Sequence, residues 1–440
     1  MSKPTSAWRN WAGNYRAVAA GVARPSSADK VAGVVRSAVA EGRTVKPVGS
    51  GHSFTAAAAT TGVRVDLAAL SGLVAVDRST RTVRVRAGTP LSALNAELAA
   101  HGLAMPNLGD VDVQTVSGAL ATGTHGTGKD YGCLSTFVAE LELVTGTGDI
   151  VRCARDSNPD LFQAALVGVG AVGIVTEVTL RCVDAFILHA DERPALLAEV
   201  LAGIDERVAT NDHFEFYWMP YTERTLTKAN NRVDADSAPR GRFATWFNDD
   251  LLENTVIGGV CRLCRAAPPL TPALLRTTAR FFAPRVYTER SDVVFTSPRR
   301  VRFMEMEYGI PRAALAEAFA GLRRVIDSLP VKVALPVEVR FTASDDIWLS
   351  HGYGRDNAYI AIHQFVGMPY EAYFRDFEAV CAALGGRPHW GKMHYRDASS
   401  LRPAYPHFDD FLAVRDTVDP GRVFGNAYTR QVFGRQRPAG

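Results

Sequence analysis

The sequence predicts an α+β protein built in two parts, with a short C-terminal segment that returns to the first. Three observations carry that expectation. The chain has 440 residues, too long for one ordinary domain. Up to about residue 185, helical and β-branched segments alternate through short glycine-rich loops. Beyond that point glycine becomes sparse, and bulky alternating segments such as HFEFYWMP (213–220) and VRFMEMEYGIP (301–311) take over. The parts so drawn are 1–185, 186–405 and 406–440.

In the first part, SADKVAGVVRSAVAE (27–41) places Val31, Val34, Val35 and Val39 on one face behind Ser26 and Ser27 as candidate caps, the pattern of an amphipathic helix. RTVKPVG is a strand that runs into the glycines around His52. VRVDL follows, then LVAVD and RTVRVRAG about a turn at Ser79, then a helix from about Leu91 to His101. LELVTGTGDIVRCA reads as two strands joined at Gly146 and Gly148, and VGVGAVGIVTEVTLRCV as a glycine loop entering a strand. In the second part, Phe214, Phe216 and Trp218 alternate with His213, Glu215 and Tyr217, which predicts an antiparallel strand buried on one face. Such a sheet with flanking helices gives the second part its α+β character. Near the end, DFLAVRDTVDPGRVFGNAYT reads as a helix, a Pro-Gly stop and a loop.

Composition narrows the function classes. Hydrophobic residues at 47% and charged residues at 22% exclude disorder as the main theme. A formal net charge of +3 over this length builds no field for nucleic acid. No run approaches the roughly 18 apolar residues a membrane span needs. MSKPTSAWRNWAG lacks an apolar leader core, so a cytoplasmic, soluble protein is expected. The six cysteines show no framework spacing, and Cys261 and Cys264 form a lone C-x-x-C without histidines, as ordinary thiols of a reducing compartment do. No two histidines sit at ligand spacing beside carboxylates, so no metal is expected. Lysine occurs seven times only, which singles out Lys392 among aromatic and histidine neighbours.

Three glycine loops lie in the first part: Gly49-Ser50-Gly51-His52-Ser53-Phe54; Ser117 to Gly128, with Gly118, Thr122, Gly123, His125 and Gly126; and Gly168 to Val175, with Gly173. Glycine lets backbone N–H groups converge on an anion, and the hydroxyls of Ser50, Ser53, Thr122, Thr124 and Thr127 add neutral donors. Turn punctuation accounts for any one loop; three together suit a long ligand with a pyrophosphate. None has the G-x-x-x-x-G-K-[ST] spacing, and none is a G-x-G-x-x-G opening a helix, so a P-loop and a nicotinamide site are both disfavoured.

VGSGHSF, GALATGTHGTG and GVGAVGIVTEVTL, in this order, resemble the PCMH-type FAD-binding domain of the vanillyl-alcohol oxidase superfamily. HFEFYWMPYT, MEYGIPR, EVRFTASDDIWLS and PHWGKMH resemble its sugar-1,4-lactone oxidase branch, which holds the L-gulonolactone and D-arabinonolactone oxidases and the alditol oxidases. The resemblance covers essentially the whole chain. It implies a two-subdomain FAD-binding domain over 1–185, a cap that takes the substrate over 186–405, and a segment 406–440 returning to the FAD domain through Asn426 and Tyr428, with Asn426 a cofactor contact.

The resemblance also implies roles. His52 matches the histidine that in many members carries the flavin on its 8α-methyl group; in members with dissociable FAD it only lines the loop. Covalent attachment is the expectation here, since an imidazole beside that electrophilic methyl can act as nucleophile. His125 is either a second polar wall of the same site or a hydrogen-bonded structural histidine. Oxidising a secondary alcohol on a flavin moves a hydride to N5 while the hydroxyl proton leaves, and a fixed cation stabilises the charge that builds on the ring. Arg340 and Lys392 are the candidates. Glu338 and Arg340 lie two apart on a predicted strand and so share a face, unless they are a mere surface pair. The resemblance places both on the substrate side, with Glu338 bonding substrate hydroxyls or the arginine. His363 matches a pocket histidine that assists the proton, or is a strand histidine satisfied by a neighbour. Trp390 is expected to pack rather than react. Gly109 falls where relatives place a small gate residue, and its lack of a side chain implies room for dioxygen. Asp110 stands where alditol oxidases carry serine, which favours a lactone over an open-chain polyol. The expected activity is oxidation of a sugar-1,4-lactone with dioxygen as acceptor. A dehydrogenase with another acceptor, an alditol oxidase and a non-catalytic flavin scaffold are the alternatives.

Overall fold

Ser27 accepts a hydrogen bond from Lys30 N and opens the first helix, Ala28–Ala40. Val31, Val35 and Ala38 are its buried face, while Val39 is 46% exposed. Seven residues are close to two helical turns, so Ala38 rather than Val39 follows Val31 into the core. The computed structural model describes residues 7–234 and 257–434, so residues 1–6 of the leader reading and 235–256 of the arginine-rich stretch lie outside the described residues.

The helix covers a three-stranded parallel sheet, ordered Gly21–Ala23, Val63–Asp66, Val45–Val48, whose last strand runs directly into the first glycine loop. A five-stranded antiparallel sheet lies beside it, ordered Ile150–Ala154, Val138–Val144, Ile174–Arg181, Thr82–Arg86, Leu73–Asp77. The turn at residues 145–149 joins two of these strands at the glycines the sequence singled out.

The second part is an eight-stranded antiparallel sheet, ordered Arg285–Arg290, Ile187–Leu196, Arg224–Val233, His213–Trp218, Val337–Thr342, Asn357–Phe365, Phe303–Pro311, Arg387–Pro388. Phe216, Trp218, Val337, Val339, Ile360 and Ile362 form one apolar core with Phe319 and Leu322 of the helix Leu315–Ser328 and with Phe374 and Phe377 of the helix Glu371–Ala383. The alternate positions are where the expectation fails. His213, Glu215, Glu305, Glu307, Glu338 and Arg340 are buried as well, so these central strands have no solvent face. Their polar side packs towards the first part: the Thr127 hydroxyl accepts from Phe341 N at 3.2 Å, and Gly128 N donates to Phe341 O at 2.7 Å.

Late segments return to the first core. Trp390, Leu401, Tyr405, Phe408, Phe411 and Phe433 join the cluster of Val83, Leu120, Phe162 and Leu180. Trp390 packs, as expected, with Nε1 donating to Leu349 O at 2.7 Å. Asn426 is placed differently from the cofactor contact expected of it. Its side chain caps the helix Ala427–Phe433, and its Nδ2 donates to the carbonyls of Ala56, Ala57 and Ala59 at 2.9, 2.9 and 3.0 Å. It holds the chain just beyond the first glycine loop instead of lining the cleft. Asn426→Ala removes the cap and strands buried carbonyls together, so a loss of about 3 kcal/mol is expected in urea unfolding. A loss below about 1 kcal/mol, the cap alone, would show that the clamp carries no load.

Candidate active site

The three glycine loops line one cleft. Gly49, Ser50, Gly51, His52, Ser53, Ser117, Gly118, Thr122, Gly173 and Val175 line it. Gly51 and Gly170 adopt φ of +66° and +62°, a region open to glycine, which turns each loop back on itself at the cleft wall. A Cβ at Gly49 would meet Thr115 Oγ1 at 2.1 Å, so that loop packs against the neighbouring one only because the side chain is missing. A long cleft with glycine backbone and hydroxyl donors fits a dinucleotide with a diphosphate. Gly109, Gly123, His125 and Gly126 do not line it. They form the buried wall between the two parts, where a Cβ on Gly123 would strike His351, one on Gly126 would strike Leu108 O, and one on Gly109 would sit 3.0 Å from His125 O.

His52 stands where the cleft meets the second sheet. Its ring stacks on Trp11 at 4.8 Å, and burial, then the nearby Lys392 ammonium, lowers its pKa to about 4. Lys392 Nζ lies 2.5 Å from Glu305 Oε1. Burial disfavours both charges, yet the pair wins: Glu305 falls to about 2 and Lys392 is raised. His363, opposite Glu305 across the strand pair, has Nδ1 3.0 Å from Pro336 O and Nε2 3.6 Å from Glu305 Oε1. A carbonyl only accepts, so His363 Nδ1 donates to Pro336 O while Nε2 faces the Glu305 carboxylate.

Glu338 and Arg340 share one face of the strand Val337–Thr342 and touch each other. Arg340 Nε also donates to Glu215 Oε2 at 3.0 Å, and its guanidinium contacts Asp110. Asp110 accepts in turn from Arg299 at 2.7 Å, and Glu215 meets Lys228 at 3.2 Å. Burial opposes ionisation throughout. For Asp110 the flanking Arg340 and Arg299 outweigh it and hold the carboxylate below its usual range. For Glu338 burial, reinforced by Asp110 and Glu215, outweighs Arg340 and holds the carboxyl well above its usual range. Glu338 is thus the carboxyl of the group whose ionisation burial and its acidic neighbours oppose most, with Arg340 as its contact.

His125 belongs with a third group. Its ring stacks on Tyr359 at 3.6 Å, its Nδ1 donates to Gly126 O at 2.9 Å, and its Nε2 is 3.3 Å from Glu307 Oε1. With Nδ1 committed as donor, one further proton must lie between Nε2 and Glu307. Glu307, Glu305 and Glu215 are site groups that sequence reasoning missed; their one signal was acidic residues at alternate positions of aromatic strands.

Two acid-bearing groups have metal-like spacing, contrary to the expectation from sequence spacing: His125, Glu307 and His389, and Asp110, Glu215 and Glu338. The fold draws them from distant segments. The second closes around the Arg340 guanidinium. In the first, His389 Nδ1 accepts from Gly391 N at 2.9 Å, which leaves the proton on Nε2, where a metal would need a lone pair.

Residues 19–154, which carry the first two glycine loops, match the family model of an FAD binding domain. The protein is an FAD-dependent oxidoreductase. Residues 178–432 match the model of D-arabinono-1,4-lactone oxidase, and the chain belongs to that family. It is 42% identical to the L-gulono-1,4-lactone dehydrogenase of Mycobacterium tuberculosis, over 97% of this chain and 99% of that one. It is 33% identical to the L-gulonolactone oxidase of Bos taurus, over 97% and 98%, and 33% identical to an alditol oxidase of a Streptomyces species, over 98% and 99%. The fold matches cholesterol oxidase from B. sterolicum with a TM-score of 0.85 at 20% identity, covering 98% of this chain and 97% of that one.

The Lys392–Glu305 pair makes a signed pH prediction. Glu305 has its pKa lowered on folding, so it adds stability above about pH 4.5 that is lost as pH falls towards 2; Lys392 is raised, so its share persists below about 10.5. Glu305→Gln, which leaves a largely buried ammonium unpaired, should cost about 2 kcal/mol at pH 7 in urea unfolding. The difference from the parent should shrink between pH 4.5 and 2. A difference independent of pH would remove the ion pair from the argument.

Proposed function

We propose that the protein oxidises a sugar-1,4-lactone of the L-gulono, L-galactono or D-arabinono type at the C2 hydroxyl, next to the lactone carbonyl, with dioxygen as electron acceptor and hydrogen peroxide as by-product. The observation that carries this reading is the adjacency of His52, Lys392, Glu305 and His363, a fixed cation and an imidazole beside the end of the FAD cleft. Bound FAD supplies the hydride acceptor, and His52 would hold it covalently. Lys392 and Arg340 bind the substrate's oxygens and offset the charge that develops as hydride leaves. His363 takes the hydroxyl proton at Nε2, and the Glu305 carboxylate stabilises the imidazolium that results. Glu338, held against Arg340, bonds the substrate's hydroxyls or orients the arginine. The 2-keto product then enolises to an ascorbate-like compound. The free, buried cysteines suit a reducing compartment, and no helix among the described residues is long and apolar enough to cross a membrane; cytoplasmic location belongs to the same proposal.

Lys392→Met should keep bound FAD but lower kcat/KM for L-gulono-1,4-lactone at least a hundredfold, since a preorganised charge at the reacting centre is lost. His52→Ala should release yellow colour into the supernatant on acid precipitation, whereas the parent's pellet stays yellow and fluorescent. Turnover that survives Lys392→Met would end the assignment.

A dehydrogenase is the second reading, supported by the 42% identical relative of that name and by Gly109, whose missing side chain is already demanded by His125 O and Thr124. Stopped-flow mixing of reduced protein with air-saturated buffer decides. The oxidase reading expects reoxidation faster than turnover; reoxidation slower than turnover with an artificial acceptor assigns the dehydrogenase.

A further inference from the structure

Among the described residues lining the FAD cleft, Lys46 is the one lysine or arginine, and no acid joins it there. It lies on the strand Val45–Val48, three residues before the first glycine loop, and is 1% exposed. Its Nζ has a single, long hydrogen bond, to Gly170 O at 3.3 Å, across the cleft on the third loop. The acid nearest in effect is Asp419, brought in by the C-terminal segment, but both its oxygens are engaged: Oδ1 accepts from Val423 N at 2.7 Å and Oδ2 from Phe424 N at 3.0 Å. Charges on the adjoining strand are committed elsewhere, Arg64 to Ala7 O at 3.3 Å and Asp66 to Arg24 at 2.9 Å. A buried ammonium so poorly matched is costly. Consistently, burial outweighs Asp419 and lowers the Lys46 pKa to about 7.

The cleft's other donors are backbone N–H groups and hydroxyls, which solvate a diphosphate without neutralising it. We infer that Lys46 is the counter-ion of the cofactor's diphosphate, and that FAD binding draws a proton onto its amine. The missing opposite charge is supplied by the ligand, so uptake of FAD and of a proton are linked. The inference rests on the FAD cleft and is independent of the substrate and of the electron acceptor.

The test uses the apoprotein of the His52→Ala variant, in which flavin binding is reversible, titrated by calorimetry from pH 6 to 9 with FAD and with riboflavin, which lacks the phosphates. FAD affinity should fall above pH 7 by up to about tenfold per pH unit, while riboflavin affinity stays flat. Adding Lys46→Met should weaken FAD at least tenfold at pH 6.5, abolish the pH slope, and leave riboflavin within twofold. Adding Lys46→Arg should keep FAD affinity and flatten the slope, because arginine stays protonated across the range. Equal losses for the two flavins, no loss of FAD affinity, or a slope that survives Lys46→Met would overturn the inference. If Lys46→Met does not fold, a pH slope persisting in Lys46→Arg overturns it as well. Failure of the His52→Ala protein to bind either flavin at any pH would instead overturn the cofactor assignment itself.

Discussion

Charge taken out of water between two packed layers is tolerated only with its opposite beside it, and this constraint organises the seam between the glycine-loop part and the eight-stranded sheet. Asp110, Glu215 and Glu338 surround Arg340, Glu305 holds Lys392, and Glu307 shares a proton with His125. The sheet supplies half of each group at its period of two: Glu305 and Glu307 on one strand, Glu338 and Arg340 on another, Glu215 on a third. Loops supply the rest, Asp110 and His125 from the first part and Lys392 from the segment after Arg387–Pro388. Asp110 and His125 come from the first part, so two of the three groups are complete only when the parts are docked.

The same constraint explains which features were legible in the sequence. Glycine loops announce themselves because their backbone requirement is local, and the Ser27 cap and the strand pair around Gly146 and Gly148 followed from neighbours in the chain. Glu338 and Arg340 were legible for the same reason, two residues apart with apolar flanks. Lys392 stood out because lysine is rare. Glu215, Glu305 and Glu307 were not legible, since alternation of acids with aromatics on one strand is also how a solvent-facing sheet is written. Whether that second face meets water is decided by a distant part of the chain packing against it, and no local pattern records this. For His125 the sequence left two readings open, and the structure shows the hydrogen-bonded one. It belongs to a cofactor loop in sequence, but the close packing of Gly126 against Leu108 directs it onto Tyr359 and Glu307 in the second sheet.

Two lysines of a lysine-poor chain then bracket the cofactor cleft with different electrostatic settings. Lys392, beyond the His52 end, has a dedicated carboxylate and is charged whatever occupies the cleft. Lys46, inside it, faces an acid whose oxygens are already spent on the turn at residues 419–424, and so it answers to the ligand. Between them, His52 is kept neutral by burial and by the Lys392 charge. A neutral imidazole retains the lone pair that a nucleophile needs, so the cation placed to receive charge during substrate oxidation also holds His52 in the protonation state that attachment to the ring requires. One fixed ammonium thereby serves two separate chemical events, and the carboxylate of Glu305 that fixes it, a residue with no motif of its own, becomes as consequential as the residues whose pattern is visible in the sequence.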